Sequence, residues 1–263
     1  MGRSRTRLIH EFILDHVSED GAGVASRIAK AYGISRQAAN RHLDGLIGDG
    51  LLMESGSTRA KRYELRPTGA LTREFRITPV LNADRVWDDH VAPMLAGERE
   101  ALRNLCRAGF GELVRSASSH AGSTWLTMSV SATTRHIDLA VSDDGQGIFV
   151  ALAGQFGVSA PRDAAEELAR RARMRAADHP AARLVLLARN FEWFAVRSSG
   201  VELFHGAQIN EWVVRDTPVM TGTTITLRCR RESRDNAQTP ARLRPHSAPR
   251  RPRARPREKT IRS

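Results

Sequence analysis

Residue types that define whole groups of proteins are scarce in this chain. Only two cysteines occur among 263 residues, Cys106 and Cys229, and neither has a second Cys or a His at metal-ligand spacing. That excludes a multi-cysteine disulfide framework and a cysteine-based zinc site, and both thiols read as reduced core residues, one on a buried helix and one on a buried strand, with a disulfide between them as the lesser alternative. No apolar run approaches the roughly 20 residues needed to cross a bilayer, so no membrane span is expected. The start, Met1-Gly2-Arg3-Ser4-Arg5, leads into a charged amphipathic segment rather than a signal-peptide core, and a cytoplasmic location is expected. His10, His16, His42, His90 and His136 likewise have no partner at ligand spacing and read as surface or packing residues.

What the chain does have is a large apolar fraction, 41%, enough for a real core in one large or two modest domains. It also carries a net charge of +12, and the position of that charge matters more than its size. Residues 231–263 hold eleven Lys/Arg against three Asp/Glu. This proline-interrupted, self-repelling stretch reads as a disordered basic tail. Two roles stay open for it: sequence-independent contact with phosphates, or simple solubilisation.

Residues 1–66 show three helical patterns and a hairpin. Leu8, Ile9, Phe12, Ile13 and Val17 recur at helical spacing, and Asp20-Gly21 ends that run. Val24, Ile28 and Ala31 mark a short second helix that stops at Gly33. Ser35 is placed to cap a third, whose Ala38, Ala39, Leu43, Leu46 and Ile47 face inward while Arg36, Gln37, Asn40 and Arg41 face outward. Arginine can pair with guanine, and Gln or Asn with adenine, through two hydrogen bonds at once. The segments Leu51-Leu52-Met53 and Arg62-Tyr63-Glu64-Leu65 read as short strands around a basic loop whose Arg59 and Lys61 suit backbone phosphates. The run Gly33-Ile34-Ser35-Arg36-Gln37-Ala38-Ala39-Asn40-Arg41-His42-Leu43, with Leu46 and Gly50-Leu51-Leu52, resembles bacterial winged-helix transcription regulators. The resemblance implies a double-stranded DNA partner and a homodimer on paired half-sites. A winged helix that contacts protein instead is the alternative.

Residues 67–97 read as a linker that becomes a helix, and a second domain is expected over 98–230. Leu102, Leu105, Cys106, Phe110, Leu113 and Ala117 form the buried stripe of its first helix. Alternating strands are expected at 123–131 and 136–142, a helix over 163–177, and further strands within 191–204, 211–215 and 223–230. The whole is an α+β chain whose second domain is an α/β sandwich, a mixed sheet with helices on one face.

The sharpest motif there is Val141-Ser142-Asp143-Asp144-Gly145-Gln146-Gly147, a strand that runs into acids and two glycines one residue apart. Such a strand end is either an ordinary turn or a place where backbone approaches a ligand. Upstream, Glu112, Ser116 and His120 share a helical face. Together these segments resemble the GHKL superfamily of ATP-binding domains, over roughly residues 70–230, and the layout is similar to bacterial proteins that fuse a winged helix to such a domain. The resemblance implies Glu112 as the base that activates water, Ser116 at the magnesium position, Asp143 as the adenine ligand, Gly145 and Gly147 as a backbone cradle, and Gly222 and Thr223 as the closing strand's contact with the pocket.

Two departures weigh against catalysis. The family has Asn where Ser116 stands, and a hydroxyl is a poorer magnesium ligand than an amide carbonyl. Its glycine-rich phosphate loop is replaced by His179-Pro180-Ala181-Ala182-Arg183, which lacks glycine and, at Pro180, an N–H donor. The expectation is therefore a pseudo-ATPase that senses a signal or binds a partner protein, with ATP binding possible and magnesium doubtful. The alternative is an active ATPase or kinase regulator with an unusual metal site.

Overall fold

The computed structural model describes residues 2–17, 23–57, 61–119, 122–174, 185, 188–207 and 210–231. The tail after 231, Arg59 in the wing and most of the 179–186 stretch lie outside the described residues. Met1–Glu232 make up one compact unit.

The first segment folds as its periodicity predicts. Helices α1 (Gly2–His16), α2 (Val24–Tyr32) and α3 (Arg36–Gly48) precede strands β1 (Leu52–Ser55) and β2 (Arg62–Leu65). Ile9, Ile13, Val17, Ile28, Ala39, Leu43, Leu46, Leu52 and Leu65 converge on one apolar core. The hairpin pairs Leu52 with Leu65 and Glu54 with Tyr63, which turns Leu52, Tyr63 and Leu65 inward. Gly33 ends α2 in the left-handed region, its N–H bonded to the Ala29 carbonyl. Two residues later the Ser35 hydroxyl accepts from the Ala38 N–H at 3.1 Å and starts α3. Removing that acceptor in Ser35→Ala leaves a helical N–H without its partner, and an N-cap loss of this kind costs about 1 kcal/mol. Denaturant melts of the full chain should register it, whereas a cost near zero would mean that water replaces the cap.

The second segment is a seven-stranded sheet with its helices on one side. Strands β3 (Gly69–Arg76), β4 (Trp125–Ala132), β5 (His136–Asp143), β6 (Trp193–Ser198), β7 (Val201–Gly206), β8 (Glu211–Asp216) and β9 (Thr223–Arg230) run in the order β3-β4-β5-β9-β6-β7-β8. Helix α4 (Ala83–Val86) continues through wider and tighter turns to Leu95. It is followed by α5 (Glu100–Ser119), α6 (Ile148–Phe156) and α7 (Pro161–Met174). Alternation along the strands decides which face is covered. Leu126, Met128 and Val130 on β4, and Ile225, Leu227 and Cys229 on β9, lie beneath α5, while Thr127, Ser129, Thr224 and Thr226 alternate with them on the other face. No helix among the described residues is long and apolar enough to cross a membrane.

Three expectations need correction. The sheet is antiparallel at every pairing rather than mixed. Strands β5 and β6, joined by the helical crossover through α6 and α7, do point the same way, as a βαβ pattern suggests. However, β9 lies between them and is antiparallel to both. The stretch 67–97 is not all linker, because Gly69–Arg76 pairs with β4 over its whole length, from Gly69 opposite Ala132 to Arg76 opposite Trp125. It is an edge strand, half exposed and heavily charged, and its alternation is therefore faint. The run 191–204 is likewise two strands. Ser199 and Gly200, both at positive φ, make the two-residue turn of a hairpin.

Cys106 of α5 and Cys229 of β9 are both buried, as expected, and their Sγ atoms lie 3.2 Å apart as free thiols. The hydrogen bond from Cys106 and burial push the Cys229 thiol far above the ordinary cysteine range, so it stays protonated.

Candidate functional site

Helix α3 presents a polar ridge to solvent. Its inner positions Ala39, Leu43 and Leu46 are at most 1% exposed, and this burial fixes which side faces out. Ser35, Arg36, Gln37, Asn40 and Arg41 are all exposed, and no part of the sheet segment covers them. At 1.5 Å per residue the helix is about 20 Å long and of a width that enters a major groove. Asp44, one turn beyond Asn40, belongs to the same exposed ridge. Sequence reasoning passed over it, although its spacing from Gln37 and Asn40 was the signal.

On the β1–β2 hairpin, Lys61 carries less free charge than the sequence suggests. Lys61 pairs with Glu54 across the hairpin at 2.6 Å, so part of its charge is already answered. That bond to Glu54 raises the Lys61 amine above its ordinary value. Arg62 on β2 is exposed and supplies a second cation there.

The motif around Asp143 closes on itself. Asp143 is 7% exposed, and its Oδ1 accepts from the Gly145 N–H at 3.0 Å and from the Ser123 hydroxyl at 3.1 Å. Thr223, 1% exposed, accepts from the Ile148 N–H at 2.9 Å and so ties the start of β9 to the start of α6. Ser198 donates to the Gly222 carbonyl at 3.0 Å. A Cβ on Gly147, whose φ is +95°, would fall 2.4 Å from Ser198 Oγ and 2.6 Å from Ser199 Oγ. One on Gly222, at φ +74°, would fall 1.8 Å from the Asp143 carbonyl oxygen. Both glycines are therefore required by close approach, and the atoms that approach are the chain's own.

The neighbouring acid, which the sequence reading left without a role, organises the entry to β4. Asp144 accepts from the Thr124 hydroxyl, the Trp125 N–H and the Thr124 N–H, which together hold its carboxyl down to about 2.

Glu112 and Ser116 sit on α5 as expected, but Glu112 is bound by Arg115 at 2.6 Å, one turn away on the same helix. Of the residues singled out in the second segment, Asp143, Gly145, Gly147, Gly222 and Thr223 come together at one corner of the sheet, knitted by the bonds above. His120 and residues 179–184 lie outside the described residues. Among the described residues no group of three or more His, Cys, Asp or Glu could hold a metal ion.

Comparisons with known proteins leave the family open. No protein-family model and no curated protein matches the chain. Among solved structures, the chain is similar to the crystal structure of HmgR from Pseudomonas aeruginosa, with 16% identity over 86% of each chain and a TM-score of 0.22, too low to show a common fold.

Proposed function

We propose that this chain is a DNA-binding transcriptional regulator that reads duplex sequence through α3, and that its sheet segment senses a signal or binds a partner protein instead of hydrolysing ATP. One observation carries the reading: an N-capped helix whose back is sealed into a core displays Arg36, Gln37, Asn40 and Arg41 together to solvent. Arg and Asn are the side chains that recognise guanine and adenine edges by paired hydrogen bonds. Hot spots of protein-contact surfaces are enriched in Trp, Tyr and Arg, and of these the ridge carries arginine but no aromatic anchor. Binding as a homodimer to two half-sites one helical turn apart belongs to the same proposal.

Selection of bound duplexes from a random-sequence pool tests it, using residues 1–232 so that the basic tail cannot supply the affinity. Enrichment of one motif supports sequence reading. A pool that stays random after several rounds rejects it.

The sheet segment has its own test. Titration with a fluorescent ATP analogue, with and without magnesium, should show no saturable, magnesium-dependent binding below about 1 mM, the weak end of specific association. Submillimolar binding that requires magnesium and is lost in Asp143→Ala would instead make the domain a nucleotide-binding enzyme.

A further inference from the structure

Glu11 and Asp15 lie four residues apart and share one face of α1. That face is not the one that fills the winged-helix core, which α1 supplies through Ile9, Ile13, Leu14 and Val17. It meets the turn between β4 and β5. There Arg135, only 6% exposed, pairs with Glu11 and sits 3.5 Å from Asp15 Oδ1. Arg230, the last residue of β9, reaches the same Asp15 at 3.1 Å and Glu192 at 3.7 Å, and Glu192 lies 3.0 Å from His136 Nε2.

The turn itself is held firmly. The Thr133 hydroxyl accepts from the Arg135 and His136 N–H groups, and Arg231 donates to the Thr133 carbonyl while pairing with Glu98. On α1, the residue beside Glu11 faces the other way along the chain of contacts. His10 Nε2 is 3.3 Å from His42 Nδ1, and the two rings meet edge to face at 5.3 Å. His42 belongs to α3 and directly follows Arg41.

We infer that Arg135 is a positioning residue: by gripping Glu11 and Asp15, the sheet segment sets the pose of α1 and, through His10 and His42, the pose of the DNA-facing helix α3. This rests on the reading of α3 as a DNA-binding element and names how that element is regulated. Two features make the contact a coupling rather than general packing. The two segments have separate apolar cores, and what joins them here is a set of ion pairs. A buried arginine, moreover, tolerates loss of its carboxylates poorly, because the remaining charge has no water to turn to, so the contact is either made or broken. A signal or partner that shifts the β4–β5 turn or the end of β9 is thereby felt at α3, along a contiguous line of side chains and one stiff helix.

The test compares full-length wild type, Arg135→Glu, Glu11→Arg and the exchanged pair Glu11→Arg/Arg135→Glu, with Arg135→Lys and Asp15→Asn as milder variants should a reversal prevent folding. Hydrogen exchange of the α3 amides is read without DNA, and duplex affinity is read separately. Arg135→Glu should lower α3 protection and weaken duplex binding by on the order of tenfold, the usual scale of coupling between sites. The exchanged pair should recover most of both, and protection of β5 and β9 should hardly change. Unaltered α3 protection in a folded Arg135→Glu or Asp15→Asn protein, or an exchanged pair no better than its single variants, overturns the inference. Should wild type bind no duplex, the functional proposal fails, while the exchange data still decide whether the grip on α1 exists.

Discussion

Gly222→Ala should cost about 4 kcal/mol or more, an exceptional effect for the addition of one methyl group. The new Cβ would fall 1.8 Å from the Asp143 carbonyl oxygen, a backbone atom at the end of the β5–β9 pairing. It would also sit at a φ of +74°, where an L side chain is strained whatever room it finds. Relief requires the start of β9 to part from the end of β5, which frays the pairing at Asp143 and Thr223. Gly147→Ala meets hydroxyl oxygens of Ser198 and Ser199 instead of backbone, so its cost should be smaller, about 1–3 kcal/mol. Urea unfolding of both variants measures the difference. A Gly222→Ala protein within about 1 kcal/mol of wild type would show that the corner is looser than described and has room for a ligand.

The second large effect concerns recognition. Arg36→Ala/Asn40→Ala should lower affinity for the selected duplex by on the order of a hundred-fold or more, because each paired contact to a base is worth about 1–3 kcal/mol of discrimination. Affinity for unrelated duplexes should fall far less. Arg62→Ala should act in the opposite manner, weakening all duplexes alike and reducing the salt slope by about one phosphate contact.

The three helices and the hairpin of residues 1–66 were legible in the sequence because their determinants are local. Apolar spacing, Ser35 at the cap and Gly33 at the preceding stop all act within a few residues of where they stand, and the structure follows them. The sheet was legible strand by strand but not in its order. Insertion of β9 between β5 and β6 depends on pairing between residues 25–35 and 80–94 positions apart, which no local pattern encodes. β3 escaped notice because only Leu71 and Phe75 on its inner face are apolar.

The Asp143 motif shows a different limit. A glycine pair after a strand announces close approach, yet which atoms approach is settled by Ser198, Ser199 and Gly222, far along the chain. In the same way, two histidines without ligand spacing, His10 and His42, meet only once α1 packs beside α3. Nothing near Lys61 predicts its pairing with Glu54 except the register of the hairpin.

Salt-resolved anisotropy titrations of residues 1–232 on the selected duplex and on a scrambled one test the ridge of α3 most directly. Tight binding to the selected duplex, lost in Arg36→Ala/Asn40→Ala while the scrambled duplex is bound almost as before, is the predicted result. Equal affinity for both duplexes, or a ridge variant that binds the selected one as wild type does, would contradict it.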